Sequence, residues 1–200
     1  MAKNLKLKIR KLIEKEWPAD SQNDPCDLVA KIYQKIRPKG KGSRNWNGYL
    51  LEALVVKFLR TRVMESCIFT NRKLALIDDT TYDILLCATS NDGQTQSPIC
   101  LSVKTSLRER YKQAEREGLT AKQVHLGSFT ALLTMDSKTT EKKGLKMRGL
   151  DMVVDCANVK HLQDFLVRIL SLNPTPYSEI KAIGPLISQT KRQKNTEKLI

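Results

Sequence analysis

The chain has 200 residues, 40% of them hydrophobic and 28% charged, which suits one well-filled domain and leaves too little for two. Lys and Arg outnumber Asp and Glu by 35 to 21, a formal charge of +14, and such an excess favours a polyanion, nucleic acid above all, as partner. Five scattered cysteines without a C-x-x-C pair argue against a disulfide framework or zinc site, and no apolar run approaches the ~18 residues of a membrane span.

The basic N-terminus, Met1-Ala2-Lys3-Asn4-Leu5-Lys6, lacks the apolar core of a signal peptide, so a soluble cytoplasmic protein is expected. The first segments read as two helices, 3–16 and 26–37, separated by Pro18 and Pro25, with Asp24-Pro25 a start signal for the second. Residues 38–47 form a basic, glycine-containing loop that includes Arg44, of a kind that can touch a phosphate backbone. A strong helix follows over 48–62. Its Leu51, Leu54, Val55, Phe58 and Leu59 have the spacing of a buried stripe. Glu52 borders that stripe, where a carboxylate needs a partner because burying it alone is costly.

Two strand-like runs, Tyr82–Ala88 and Pro98–Lys104, flank a polar, turn-rich segment and read as an antiparallel hairpin. A turn centred near Gly93-Gln94 sets Asp83 opposite Lys104. Alternation along the second strand puts Ser102 and Lys104 on one face and Ile99, Leu101 and Val103 on the other, packed one. A helix over 107–117 comes next, then strands at 123–134 and 150–156, and an amphipathic helix at 160–172 carrying Leu162, Phe165, Leu166, Ile169 and Leu170. Residues 189–200 are a basic, solvated tail. The order gives an α/β or α+β fold with a mixed sheet of about four or five strands flanked by helices. It is read as a single domain over 1–188, with N-terminal helices and basic loop in 1–47 and a core in 48–172.

Hydrolysis of a phosphodiester needs carboxylates to hold a divalent metal, a positioned water, and charge to stabilise the scissile phosphate. The run Thr81-Tyr82-Asp83, then Ser102-Val103-Lys104 with its continuation Thr105-Ser106-Leu107-Arg108-Glu109-Arg110-Tyr111-Lys112-Gln113, then Glu117, resembles the PD-(D/E)XK nuclease superfamily. It looks like the branch of type II restriction endonucleases that recognise CCGG-, CCNGG- or CCWGG-type sites. In that branch a small residue replaces the second acid of the motif, and a glutamate downstream of the lysine supplies the carboxylate. Here Glu117 stands 13 residues after Lys104, and Glu115 is a second candidate. Tyr82 departs from the pattern by replacing the proline before the first acid. The match covers 48–118.

The resemblance implies a restriction-endonuclease-like core in a prokaryotic restriction-modification enzyme. Asp83 and Glu117 would ligate Mg²⁺ with the Val103 carbonyl as a further ligand, and Lys104 would position the attacking water. Glu52 would support the site or a second metal, and Ser102 would be a spacer. Arg108, Glu109 and Arg110, with Lys112 beside them, lie where the branch reads bases. Arg is suited to guanine and a carboxylate to cytosine in the major groove. A palindromic target implies a homodimer on double-stranded DNA, and no organic cofactor is called for. Two rivals remain: a structure-selective repair or resolvase-type nuclease, and a catalytically inactive DNA-binding module on the same scaffold.

Overall fold

The computed structural model describes residues 2–18, 24–38, 44–74, 77, 79–89, 96–106, 110–138, 140, 147–176 and 187–188. The helices are α1 (Ala2–Glu16), α2 (Pro25–Ile36), α3 (Arg44–Leu59), α4 (Tyr111–Val124) and α5 (Val159–Ser171). The strands are β1 (Phe69–Leu74), β2 (Tyr82–Thr89), β3 (Gln96–Lys104), β4 (Phe129–Thr134), β5 (Met152–Asp155) and β6 (Ile187–Ser188). They form one mixed sheet in the order β5-β4-β3-β2-β1-β6. β1, β2 and β3 pair antiparallel, and β3, β4 and β5 pair parallel. The α+β class, the mixed sheet and the flanking helices match the expectation, with five main strands and the two-residue β6 added at the sheet edge. The main strand not foreseen is β1. In β1, Phe-Thr-Asn-Arg-Lys-Leu, only Leu74 is buried, so its sequence carries no alternating apolar signal.

Local signals set the helix starts. Asp24 caps α2 by accepting the Cys26 N–H at 2.9 Å, and Pro25 fills the first turn, where no N–H partner is needed. Asn158 caps α5 by accepting from Lys160 and His161. In α3, Leu51, Leu54, Val55, Phe58 and Leu59 are all fully buried. They join Ile9 and Ile13 of α1, Val29 and Ile32 of α2, and Leu162, Phe165 and Ile169 of α5 in one core over one face of the sheet. Ile99, Leu101 and Val103 of β3 point into it, as alternation required. Leu170, expected in the same stripe, is 43% exposed.

The opposite face is covered by α4. Ala121 packs with Leu85 and Cys100, and Ala114 with Leu132 and Met147. This helix corrects two expectations: it continues through Gly118 to Val124, and the strand expected from 123 begins only at Phe129. Gly118 is helical because the chain around Gly149 lies against it. A Cβ there would sit 2.3 Å from the Gly149 carbonyl oxygen, so only glycine allows the contact. Residues 44–47, assigned to the basic loop, form the first turn of α3, and 60–62 fall in a turn beyond it. The expected tail, 189–200, lies outside the described residues.

The hairpin register also differs from the expectation. Ile84 pairs with Leu101 and Thr89 with Gln96. Continued one step, this register sets Asp83 against Ser102, so Lys104 stands two residues beyond the position opposite Asp83. A shift of two leaves each side chain on its original face, so the acid and the lysine still meet.

Candidate active site

Lys104 is the last residue of β3 and pairs with Thr134, the last of β4, which pairs with Asp155, the last of β5. The candidate site therefore sits at the carboxyl ends of the parallel strands, where open α/β sheets commonly present their chemistry. The β2–β3 ladder ends one pair short of it, at Ile84 and Leu101. Beyond that pair the Val103 N–H donates to the Asp83 carboxylate at 2.7 Å instead of to a strand carbonyl. The side chain thus satisfies a backbone donor that would otherwise lose its partner. The same oxygen, Oδ2, accepts the Lys104 ammonium at 2.7 Å. The two partners differ in burial: the Lys104 side chain is 7% exposed and that of Asp83 is 24% exposed.

Glu117 comes to this group from α4 and is buried there. Its Oε2 accepts the Ser102 hydroxyl and its Oε1 accepts the Gln113 amide at 2.7 Å, one helical turn back. Its backbone carbonyl accepts the phenol of fully buried Tyr82 at 3.0 Å. Burial pushes the Tyr82 phenol above its ordinary value, and the charges of Cys100 and Glu117 add to the rise. Ser102 and Lys104 lie on the same face of β3. The structure thus links Asp83 to Lys104 and Glu117 to Ser102 on one patch of the sheet. Glu115 is directed elsewhere: it accepts the Arg148 N–H at 3.0 Å.

Glu52 lies on the far side of Asp83. Its Oε1 accepts the Asn71 amide at 2.7 Å and lies 3.8 Å from the Lys6 ammonium. Burial raises its carboxyl above the ordinary range, while Lys6, Asn71 and Arg10 oppose the rise and the charge of Asp83 adds to it. Asn71 has a left-handed backbone, φ 53°, a conformation that costs most side chains energy and that asparagine tolerates best. In the β1–β2 register, between Thr70↔Ile84 and Arg72↔Tyr82, Asn71 falls opposite Asp83.

Arg110 and Lys112 are exposed at the start of α4. Arg108 and Glu109 lie outside the described residues, as does the side chain of Arg44. Sequence reasoning missed Asn71 and the buried Asp155, set Gln113 on the helix face of Glu117 by spacing without giving it a role, and read Ser102 as a spacer.

Among the described residues no three His, Cys, Asp or Glu side chains are grouped so as to hold a metal. What is present is two carboxylates, Asp83 and Glu117, with the Val103 carbonyl close by in the chain. These are oxygen donors only. They suit a hard ion that keeps most of its waters, as Mg²⁺ does, and not zinc. Both hydrogen bonds that Asp83 accepts among the described residues fall on Oδ2, which leaves Oδ1 for such an ion.

No protein-family model matches the chain, nor does the sequence of any curated protein. A solved structure of the restriction endonuclease PspGI in complex with substrate DNA is similar to it, with a TM-score of 0.47 and 14% identity over 88% of this chain and 83% of that one. The functional reading rests on the geometry above and not on that likeness. No helix among the described residues is long and apolar enough to cross a membrane.

Proposed function

We propose that the protein is a Mg²⁺-dependent endonuclease that hydrolyses phosphodiester bonds in double-stranded DNA. On this reading it acts as a homodimer, as a type II restriction enzyme does, at a short palindromic site containing G·C pairs. The observation that carries the reading is the Asp83–Lys104 pair with Glu117 tied to the same face of β3 through Ser102. A lysine flanked by two carboxylates at a strand end answers each requirement of phosphodiester hydrolysis, and the +14 charge supplies attraction to the substrate.

In this scheme Asp83 and Glu117 would hold the metal. Bound there, Mg²⁺ would supply Lewis-acid charge at the scissile phosphate and lower the pKa of a coordinated water. Lys104 orients the attacking water and neutralises charge that grows on the phosphoryl oxygens. The water oxygen bonds to phosphorus, the bond to the leaving sugar oxygen breaks, and a proton passes to that oxygen. Gln113 and Ser102 keep the Glu117 carboxylate aimed, and Asp83 is fixed by the Val103 N–H. Arg110 and Lys112, with Arg108, Glu109 and Arg44, are assigned to the DNA, the Arg-Glu-Arg run to base edges of adjoining G·C pairs.

Incubation of the protein with unmethylated phage DNA, with Mg²⁺ and with excess chelator, tests the reading. Discrete fragments that require metal are the expected result. Bound but uncut DNA would instead assign a binding module, and cleavage confined to branched or damaged DNA a structure-selective nuclease.

A further inference from the structure

Beside the candidate active site lies a cavity of about 150 Å³ between α1, α3 and β1. Its lining contains four cations, Lys6, Arg10, Lys57 and Arg60, against two acids, Glu14 and Glu52. Lys57 is satisfied by Glu14 at 2.8 Å, and Arg60 by Glu65 at 2.5 Å. Lys6 and Arg10 share a single acid, Glu52. Lys6 stands 3.8 Å from Glu52, which already accepts the Asn71 amide, and its ammonium sits 4.6 Å above the Tyr49 ring. Arg10 makes no hydrogen bond among the described residues and acts on Glu52 only through its charge. The two are one helical turn apart on one face of α1, where like charges repel, and the single charge of Glu52 leaves the group with a net positive charge.

We infer that Lys6 and Arg10 form a seat for a DNA backbone phosphate next to the one that is cleaved. The position follows from Asn71, which borders the cavity and lies opposite Asp83 in the β1–β2 register. This puts the cavity within reach of a strand whose scissile phosphate rests at Asp83 and Lys104. The inference rests on the nuclease reading and adds to it the residues that fix the strand.

The test measures DNA affinity against salt concentration, with excess chelator to prevent cleavage, for the wild type, Lys6→Ala, Arg10→Ala and the double variant. Exposed Lys160 on α5, changed to Ala, is the control. Each lost phosphate contact should lower the slope of log affinity against log salt by about 0.9, equally for different duplex sequences. Thermal melts check that Arg10→Ala, which removes no hydrogen bond among the described residues, stays folded. An unchanged slope in the double variant, with the wild type binding DNA, would overturn the seat alone. A loss confined to one DNA sequence would overturn it too, since it would mean base reading. A wild type without DNA affinity would overturn the nuclease reading as well. Tight binding of inorganic phosphate that depends on both residues, with an unchanged DNA slope, would assign the cavity to a free phosphate instead.

Discussion

The Ser102 hydroxyl donates to the Glu117 carboxylate across the gap between β3 and α4, joining residues fifteen positions apart in the chain. Both groups are buried, so water is poorly placed to replace the bond. A hydrogen bond to a charged group contributes about 1.5–3 kcal/mol. Ser102→Ala removes the donor and leaves Glu117 held by Gln113 alone. Single-turnover cleavage should fall by roughly 10- to 100-fold if that energy is realised in the transition state, while DNA affinity in chelator stays unchanged. Wild-type cleavage by this variant would return Ser102 to the role of spacer.

Glu117 and Glu115 separate two accounts of the swapped acid. Glu115 accepts a backbone N–H from Arg148, and Glu117 accepts from Ser102 and Gln113 beside Lys104. Glu117→Gln should abolish metal-dependent cleavage, and Glu115→Gln should leave most of it. Equal tolerance of both substitutions, in the same cleavage assay, would remove Glu117 from the site.

The Asp83–Lys104 pair predicts an asymmetry in stability. Lys104 is nearly buried and Asp83 is about a quarter exposed. Asp83→Ala strands a buried ammonium and the Val103 N–H, and breaking a buried pair in this way costs about 3–5 kcal/mol. Lys104→Met leaves a carboxylate that solvent reaches and that still accepts the Val103 N–H. Both variants should lose cleavage, but thermal melts at neutral pH should place Asp83→Ala clearly below Lys104→Met. The reverse order would show that the pair is not the one the geometry describes.

Much of this site was legible in the sequence because strand alternation is forgiving. Asp83 and Lys104 were placed opposite each other with a register two residues off, and a slip of two preserves faces, whereas a slip of one would have separated them. The α3 stripe was legible because its apolar spacing is unambiguous. β1 was not, since its four inner residues are polar and its pairing is decided by Tyr82–Leu85 across the sheet rather than by its own pattern. Glu117 needed a resemblance to connect it with Lys104, because helical spacing alone does not say which way α4 folds back. Gly118 illustrates why: its need is set by the approach of Gly149, 31 positions later in the chain. Asn71 gave no signal, since a left-handed backbone at one asparagine is a property of the folded sheet.

Glu52 predicts a pH-dependent trade between stability and activity. Burial raises its carboxyl above the ordinary value of 4.5, so the folded protein favours the protonated form. A raised carboxyl contributes stability that is present in full below the unfolded value. That contribution is lost as pH rises through the folded one. At neutral pH the ionised group is therefore a burden that Lys6, Asn71 and Arg10 offset only in part. Glu52→Gln keeps an oxygen for the Asn71 amide and removes the buried charge. Its melting temperature should exceed that of the wild type at pH 7, and the difference should shrink towards zero as pH falls below the ordinary carboxylate range. Cleavage at pH 7 should fall, as expected where a destabilising charge is retained for function. Melts of both proteins across this pH range, beside cleavage rates, decide the matter. A variant that is less stable than the wild type at pH 7 would mean that the Lys6–Glu52–Asn71 cluster holds the fold together and that Glu52 is a structural residue.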